Sequence, residues 1–104
     1  MSIILQMAMF PTDKGDSVSP YVSRIIAMIR ESGIPYSLTP MATIIETETL
    51  EEALKVINDA YKLLENDCSR VYATFSLDIR PGQQNRMDAK IKSVEDKIGK
   101  DIHS

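Results

Sequence analysis

Residues 36–48, Tyr36-Ser-Leu-Thr-Pro-Met-Ala-Thr-Ile-Ile-Glu-Thr-Glu48, decide how this chain is read. The stretch is rich in β-branched and hydroxyl residues, which suit a pleated, half-buried surface. Pro40 near its middle cannot donate to a strand ladder. Two short strands joined at the Pro40-Met41 corner follow. Strict alternation puts Glu46 on one face with Ile44, and Thr43, Ile45 and Thr47 on the other. Glu46 is then a carboxylate inside an otherwise neutral strand. It reads either as a solvated edge charge or as a carboxylate at a partly covered sheet surface, ready to accept from an amidine-like or protonated ring nitrogen. Thr39 and Thr43 can add hydroxyls nearby, although β-propensity alone explains threonine in such a strand.

Working outward, each side of this hairpin carries one helix and one strand. On the N-terminal side, residues 2–10 alternate, with Ile3, Leu5, Met7 and Met9 facing a core and Ile4, Gln6, Ala8 and Phe10 facing away. The turn-rich segment 11–17 leads to a helix with Ser19 as its expected N-cap and Pro20 in its first turn. Val22, Ile25, Ile26, Met28 and Ile29 give its apolar stripe, Gly33 its left-handed stop, and Ile34-Pro35 the return to extended chain. On the C-terminal side Thr49-Leu-Glu-Glu52 is a capping box. The stripe expected behind it is Ala53, Leu54, Ile57, Ala60, Tyr61 and Leu64. The strand 71–80 then turns Val71, Ala73, Phe75, Leu77 and Ile79 to the core and Tyr72, Thr74, Ser76 and Asp78 to the other face. A final helix, about Asn85 to Ile98, has a narrow seam of Met87, Ile91, Val94 and Ile98, suited to another helix or a neighbouring subunit.

The order is β-α-β-β-α-β plus a C-terminal helix. Two right-handed split βαβ units then interleave into a four-stranded antiparallel sheet with both long helices on one face, an α+β ferredoxin-like plait. The opposite sheet face, half apolar, is left for association between copies of the chain.

A length of 104 residues argues for a single domain, 1–104. With Lys+Arg 12 against Asp+Glu 15 and a net charge of −3, no basic patch offers itself to nucleic acid or an anionic membrane. Cys68 and His103 stand alone of their kinds, which excludes an intrachain disulfide and a structural zinc site. Residues 2–11 are too short to span a bilayer and lack a signal-peptide pattern, so a cytoplasmic protein is expected. Asp78 and Arg80 share a face and suggest an exposed ion pair. Tyr72 and Phe10 can stack on a flat ring or pack a subunit contact, and Tyr36 can line a cleft. Ser17 and Ser19 stand at a helix N-terminus, where capping is the plainer meaning and anion binding the other. No nucleophile–base spacing, phosphate loop or metal signature appears.

Taken together these segments resemble the small thiamine-binding proteins, related to the hydroxymethylpyrimidine/thiamine-binding domain. The resemblance runs through Phe10-Pro11, Ser17-Val-Ser-Pro-Tyr-Val22 and Pro35-Tyr-Ser-Leu-Thr-Pro-Met-Ala-Thr43. It continues through Ile44-Ile45-Glu46, Arg70-Val71-Tyr72 and Asp78-Ile79-Arg80. Order and spacing carry it, not any one motif. Many members have glycines where this chain has Pro40 and Ala42. The resemblance implies a non-enzymatic homotetramer, a dimer of dimers, that binds thiamine or its pyrimidine half in pockets near subunit contacts. Thiamine is then ligand, not cofactor, and neither a cofactor nor a metal is expected. By position it points to Thr43 and Glu46, and after them Ser19 and Met41, as ligand-binding residues. An enzyme on a dimeric plait and a ligand-sensing oligomeric subunit are the alternatives.

Overall fold

The computed structural model describes residues 1–82 and 86–98. Its elements are β1 (Ser2–Pro11), α1 (Ser19–Ser32), β2 (Tyr36–Leu38), β3 (Thr43–Thr47), α2 (Leu50–Lys62), β4 (Val71–Arg80) and α3 (Arg86–Ile98). The four strands form one antiparallel sheet in the order β2-β3-β1-β4. This is the expected ferredoxin-like plait with its extra helix. The two-strand reading of residues 36–48 holds, with the corner at residues 39–42.

The core lies between one sheet face and the helices α1 and α2. Ile3, Leu5, Met7 and Met9 of β1, Ile45 of β3, Ile25 and Ile29 of α1, and Val56, Ala60 and Leu64 around α2 are all buried. Burying each of these side chains other than Ala60 contributes about 1.5–3 kcal/mol. Gly33 stops α1 at φ 78°, with its N–H donating to the Arg30 carbonyl. Thr49 caps α2 by accepting from the Glu52 N–H at 3.1 Å, and its hydroxyl in turn meets the Glu52 carboxylate. The expected return bond from Glu52 to the Thr49 amide is replaced by this side-chain contact.

Four expectations need correction. The N-cap of α1 is Val18, not Ser19, which sits one residue inside the helix and makes no capping bond. On α2 the buried line is Ala53, Val56, Ala60 and Leu64, whereas Leu54 and Tyr61 are exposed; the helix is rolled so that its small residues meet the sheet. The odd residues of β4 do share the core side, but Phe75 and Ile79 are 51% and 45% exposed. α2 lies over β1 and β3 and α1 over β1, while β4 runs along the edge, where Val71 and Leu77 reach the core but Phe75 and Ile79 do not. Asp78 pairs not with Arg80 but with Arg86, at 2.9 Å.

The second sheet face is covered at one end only, where α3 begins. Gln6, Tyr72, Thr74 and Ser76 remain exposed on it, and Phe10 and Tyr72 make a tilted ring pair with centroids 5.8 Å apart. Along α3, Val94 and Ile98 are exposed, as an unpartnered seam would be. Ile91 of the same seam, Asn85 and His103 lie outside the residues whose side chains are described. Cys68 is buried with a free thiol. No helix among the described residues is long and apolar enough to cross a membrane.

Candidate functional site

Two places draw side chains of chemical interest together, and they lie on opposite faces of the sheet. One is a buried polar cluster under the start of α3. Glu46, on β3, stands in register with Ile4 of β1, which pairs in turn with Asp78 of β4. Its carboxylate accepts from the Ser2 hydroxyl at 2.6 Å, the Arg86 N–H at 2.9 Å and the Met87 N–H at 3.3 Å. The first amides of a helix have no internal partners, and a carboxylate is the ligand they favour. Glu46 is therefore the acid that caps α3. Burial raises its pKa, but the bonds from Ser2, Arg86 and Met87, with the Arg86 charge, outweigh that and hold the carboxyl below its ordinary range. The Arg86 guanidinium, 4% exposed, completes the cluster by donating to the Ser2 hydroxyl and carbonyl and to the Asp78 carboxylate and carbonyl.

The other place is a cleft of about 260 Å³ on the helix side. Its floor is β1 from Met7 to Phe10, one wall is α1 with Val18, Val22, Ile25 and Ile26, and its brim is the β2–β3 corner, Leu38 to Thr43. The corner is built by one side chain. The Thr39 hydroxyl accepts from the Met41 and Ala42 N–H groups at 3.3 and 3.0 Å and donates to the Ala42 carbonyl at 2.8 Å. Such a hydroxyl-closed turn is the local alternative to a strand ladder that threonine offers. It leaves Met41 84% exposed at the rim. Thr43, buried, lines the same cleft.

Two further hollows adjoin it. One, about 430 Å³, runs along the outer side of α1 past Ser19, Ser23 and Arg30, sharing Val18, Val22, Ile26 and Leu38 with the cleft. The other, about 310 Å³, lies on the second sheet face beside Gln6, Thr74 and Ser76 and shares Ala8, Met41 and Ala42. Of the four residues the sequence singled out, Thr43 and Met41 thus line the cleft, Ser19 the hollow beside it, and Glu46 none of the three. Thr43 and Glu46 differ by an odd number of residues on one strand, so their side chains leave opposite faces. Arg86 went unread because nothing local distinguishes it from any helical arginine; its partners are 8 to 84 residues away.

Among the described residues no group of three or more His, Cys, Asp or Glu converges as a metal site would. The cleft is apolar apart from its threonines, with polarizable methionine at floor and rim. Thioether sulfur packs well against aromatic ring edges.

Comparison with known proteins adds to this geometry. Residues 5–95 match the model of a family described as thiamine-binding protein. A UPF0045 protein of Mycobacterium bovis is 32% identical over 95 residues, covering 91% of this chain and 93% of that one. The crystal structure of the hypothetical protein MJ1052 from Methanocaldococcus jannaschii superposes with a TM-score of 0.79 at 28% identity, over 89% of this chain and 95% of that one. A Thermotoga maritima structure, TM0486, gives a TM-score of 0.77 at 19% identity over 90% and 99% of the two chains, which establishes likeness of fold.

Proposed function

Because the chain belongs to the thiamine-binding protein family, we propose that the methionine-lined cleft between α1 and the β2–β3 corner takes up the pyrimidine ring of thiamine or a related aminopyrimidine. The observation that carries this is the cleft itself: ring-sized, apolar, floored by Met7 and Met9 and rimmed by Met41, with the Thr39 and Thr43 side chains as its polar groups. The role is binding without catalysis. Among the described residues, those lining the cleft include no His, Cys, Lys, Asp or Glu, so none of them supplies an acid–base pair or a thiol or amine nucleophile to a bound ring. The TM0486 protein is described as proposed to act in thiamine biosynthesis or salvage, a role that a cytoplasmic thiamine binder would serve.

The assembly is a homotetramer whose subunit contacts run close to the binding hollows. Its support is β4, a strand with a free edge on which Tyr72 of the second face and Phe75 and Ile79 of the helix-side face are all about half exposed. The hollow beside Gln6, Thr74 and Ser76 opens on the second face, the face of Tyr72. A positively charged thiazolium is mildly favoured by the net charge of −3, an attraction screened beyond about 8 Å.

Thermal unfolding with thiamine, its phosphates and hydroxymethylpyrimidine tests the reading. A true ligand at a hundredfold excess over its Kd stabilises by about 2.7 kcal/mol. Thr43→Val and Met41→Ala should weaken that ligand in calorimetry while leaving the fold intact. Absence of any shift across the set removes the proposal.

A further inference from the structure

The floor of the cleft holds a polar group that side chains do not reveal. Four consecutive residues of β1, Met7 to Phe10, line it. Successive side chains of a strand point to opposite faces, so a cavity that touches all four must meet the strand along its backbone edge. Strand pairing shows why that edge is open. β1 pairs with β4 along its whole length, to Pro11↔Val71, but with β3 only to Met7↔Thr43. Beyond Met7 the β3 side of β1 has no partner strand among the described residues, because the chain has turned away into the Thr39–Ala42 corner.

Which backbone groups face the gap follows from two independent bonds. The Thr12 N–H donates to the Arg70 carbonyl, so even-numbered residues of β1 direct N–H and C=O toward β4. The Glu46 N–H donates to the Pro35 carbonyl, so Ile44 and Glu46 face β2 while Thr43, Ile45 and Thr47 face β1. Their partners Met7, Leu5 and Ile3 therefore face β3. Met9 continues that odd set. In register it would meet position 41, but Met41 stands at the corner, outside any strand. Met9 is 7% exposed, and no protein partner for its N–H or C=O occurs among the described residues. A buried backbone pair of this kind normally has partners.

We infer that the main chain of Met9 is the recognition edge of the cleft, its N–H and C=O pairing with a planar ligand that carries a ring-nitrogen acceptor beside an exocyclic amine donor. The ligand takes the place that a β3 residue would occupy had the ladder continued. This rests on the cleft being the binding site and adds how the ring is read. It also explains how a cleft without charged side chains selects a hydrogen-bonding heterocycle: the donor and acceptor belong to one extended residue and are fixed by β4 from behind.

Amide hydrogen exchange on the isotope-labelled full chain tests it, with hydroxymethylpyrimidine as the probe and its analogue lacking the exocyclic amine as the control. At saturation the Met9 amide should exchange at least ~10-fold more slowly, and the analogue should bind at least ~10-fold more weakly. Met9→Pro deletes the cleft-facing N–H without removing a bond to β4, and should lose at least ~10-fold more affinity than Met9→Leu, which alters the side chain but keeps that N–H. If the proline variant does not fold, the exchange measurement decides alone. Binding that moves the Thr43 and Met41 signals but leaves Met9 exchange unchanged overturns the pairing and spares the cleft. Failure of every probe to bind there overturns both. Protection of Met9 that rises with protein concentration and not with probe would assign the edge to another chain and overturn the ligand.

Discussion

Glu46 shows how one side chain can be located by sequence and given its role by contacts that sequence does not display. Its face on β3 followed from alternation with Ile44; its three donors, from Ser2, Arg86 and Met87, come from 40 or more residues away. No local rule brings Arg86 to Ser2 and Asp78, since that meeting depends on where the chain goes after the Pro81-Gly82 turn. Glu46→Gln keeps the shape but removes the charge and at least one acceptor, and should cost about 1–3 kcal/mol in urea unfolding. The pH dependence has a definite sign. A folded pKa below the ordinary 4.5 means the unfolded chain takes up the proton first as pH falls. The stabilisation from Glu46 is complete above that ordinary value and is lost as pH drops through the lower, folded one. The glutamine variant should therefore show a shallower acid limb in stability measured from pH 6 down to about 3. Arg86→Lys retains charge but replaces a planar fork with a point donor. It should destabilise by about 1–3 kcal/mol, read from the same unfolding curves.

At the scale of elements, the strands and helices were legible because hydrophobic period and punctuation agree with each other. Pro40 set the corner, Gly33 the end of α1, and Thr49 the start of α2. What failed was coverage, not type. Alternation in β4 identified the correct side for Phe75 and Ile79, but no periodicity says that a helix will lie above β1 and β3 and stop short of the edge. The same holds for α2, where both Val56 and Leu54 are apolar and only packing against the sheet selects Val56 for burial. The β2–β3 corner forms the brim of the proposed binding cleft, and its shape hangs on the Thr39 hydroxyl. Thr39→Val removes three hydrogen bonds from an exposed turn. The expected cost to stability is about 1 kcal/mol by chemical denaturation. Ligand affinity should fall several-fold in calorimetry, because Met41 is no longer held over the cleft. An unchanged affinity would detach the corner from binding.

For the whole molecule, the described residues leave uncovered the second sheet face away from α3 and the outer edge of β4, the longer of the sheet's two edge strands. The sequence anticipated the first from its mixed composition and association through sheet edges in general, but which strand offers the edge is a property of strand order that no local pattern displays. The strand order β2-β3-β1-β4 leaves β4 with a row of outward backbone groups that no strand pairs among the described residues. Even residues of β4 turn inward, as the Arg70 carbonyl does toward Thr12. Ala73, Phe75, Leu77 and Ile79 therefore present N–H and C=O outward. If the proposed oligomer forms by pairing this edge with that of a second copy, a proline at Ala73 should block it without breaking any bond to β1. Ala73→Pro is expected to sediment as a smaller species than the parent at equal concentration, with helix and strand content unchanged by circular dichroism. Val94→Lys on α3 separates the alternatives, because its exposed side chain belongs to the helix seam and not to the β4 strand. Dissociation by the lysine and not by the proline would place the contact on α3. Dissociation by the proline alone would make the assembly a continuous sheet across two chains, with the hollow beside Gln6, Thr74 and Ser76 facing the same seam.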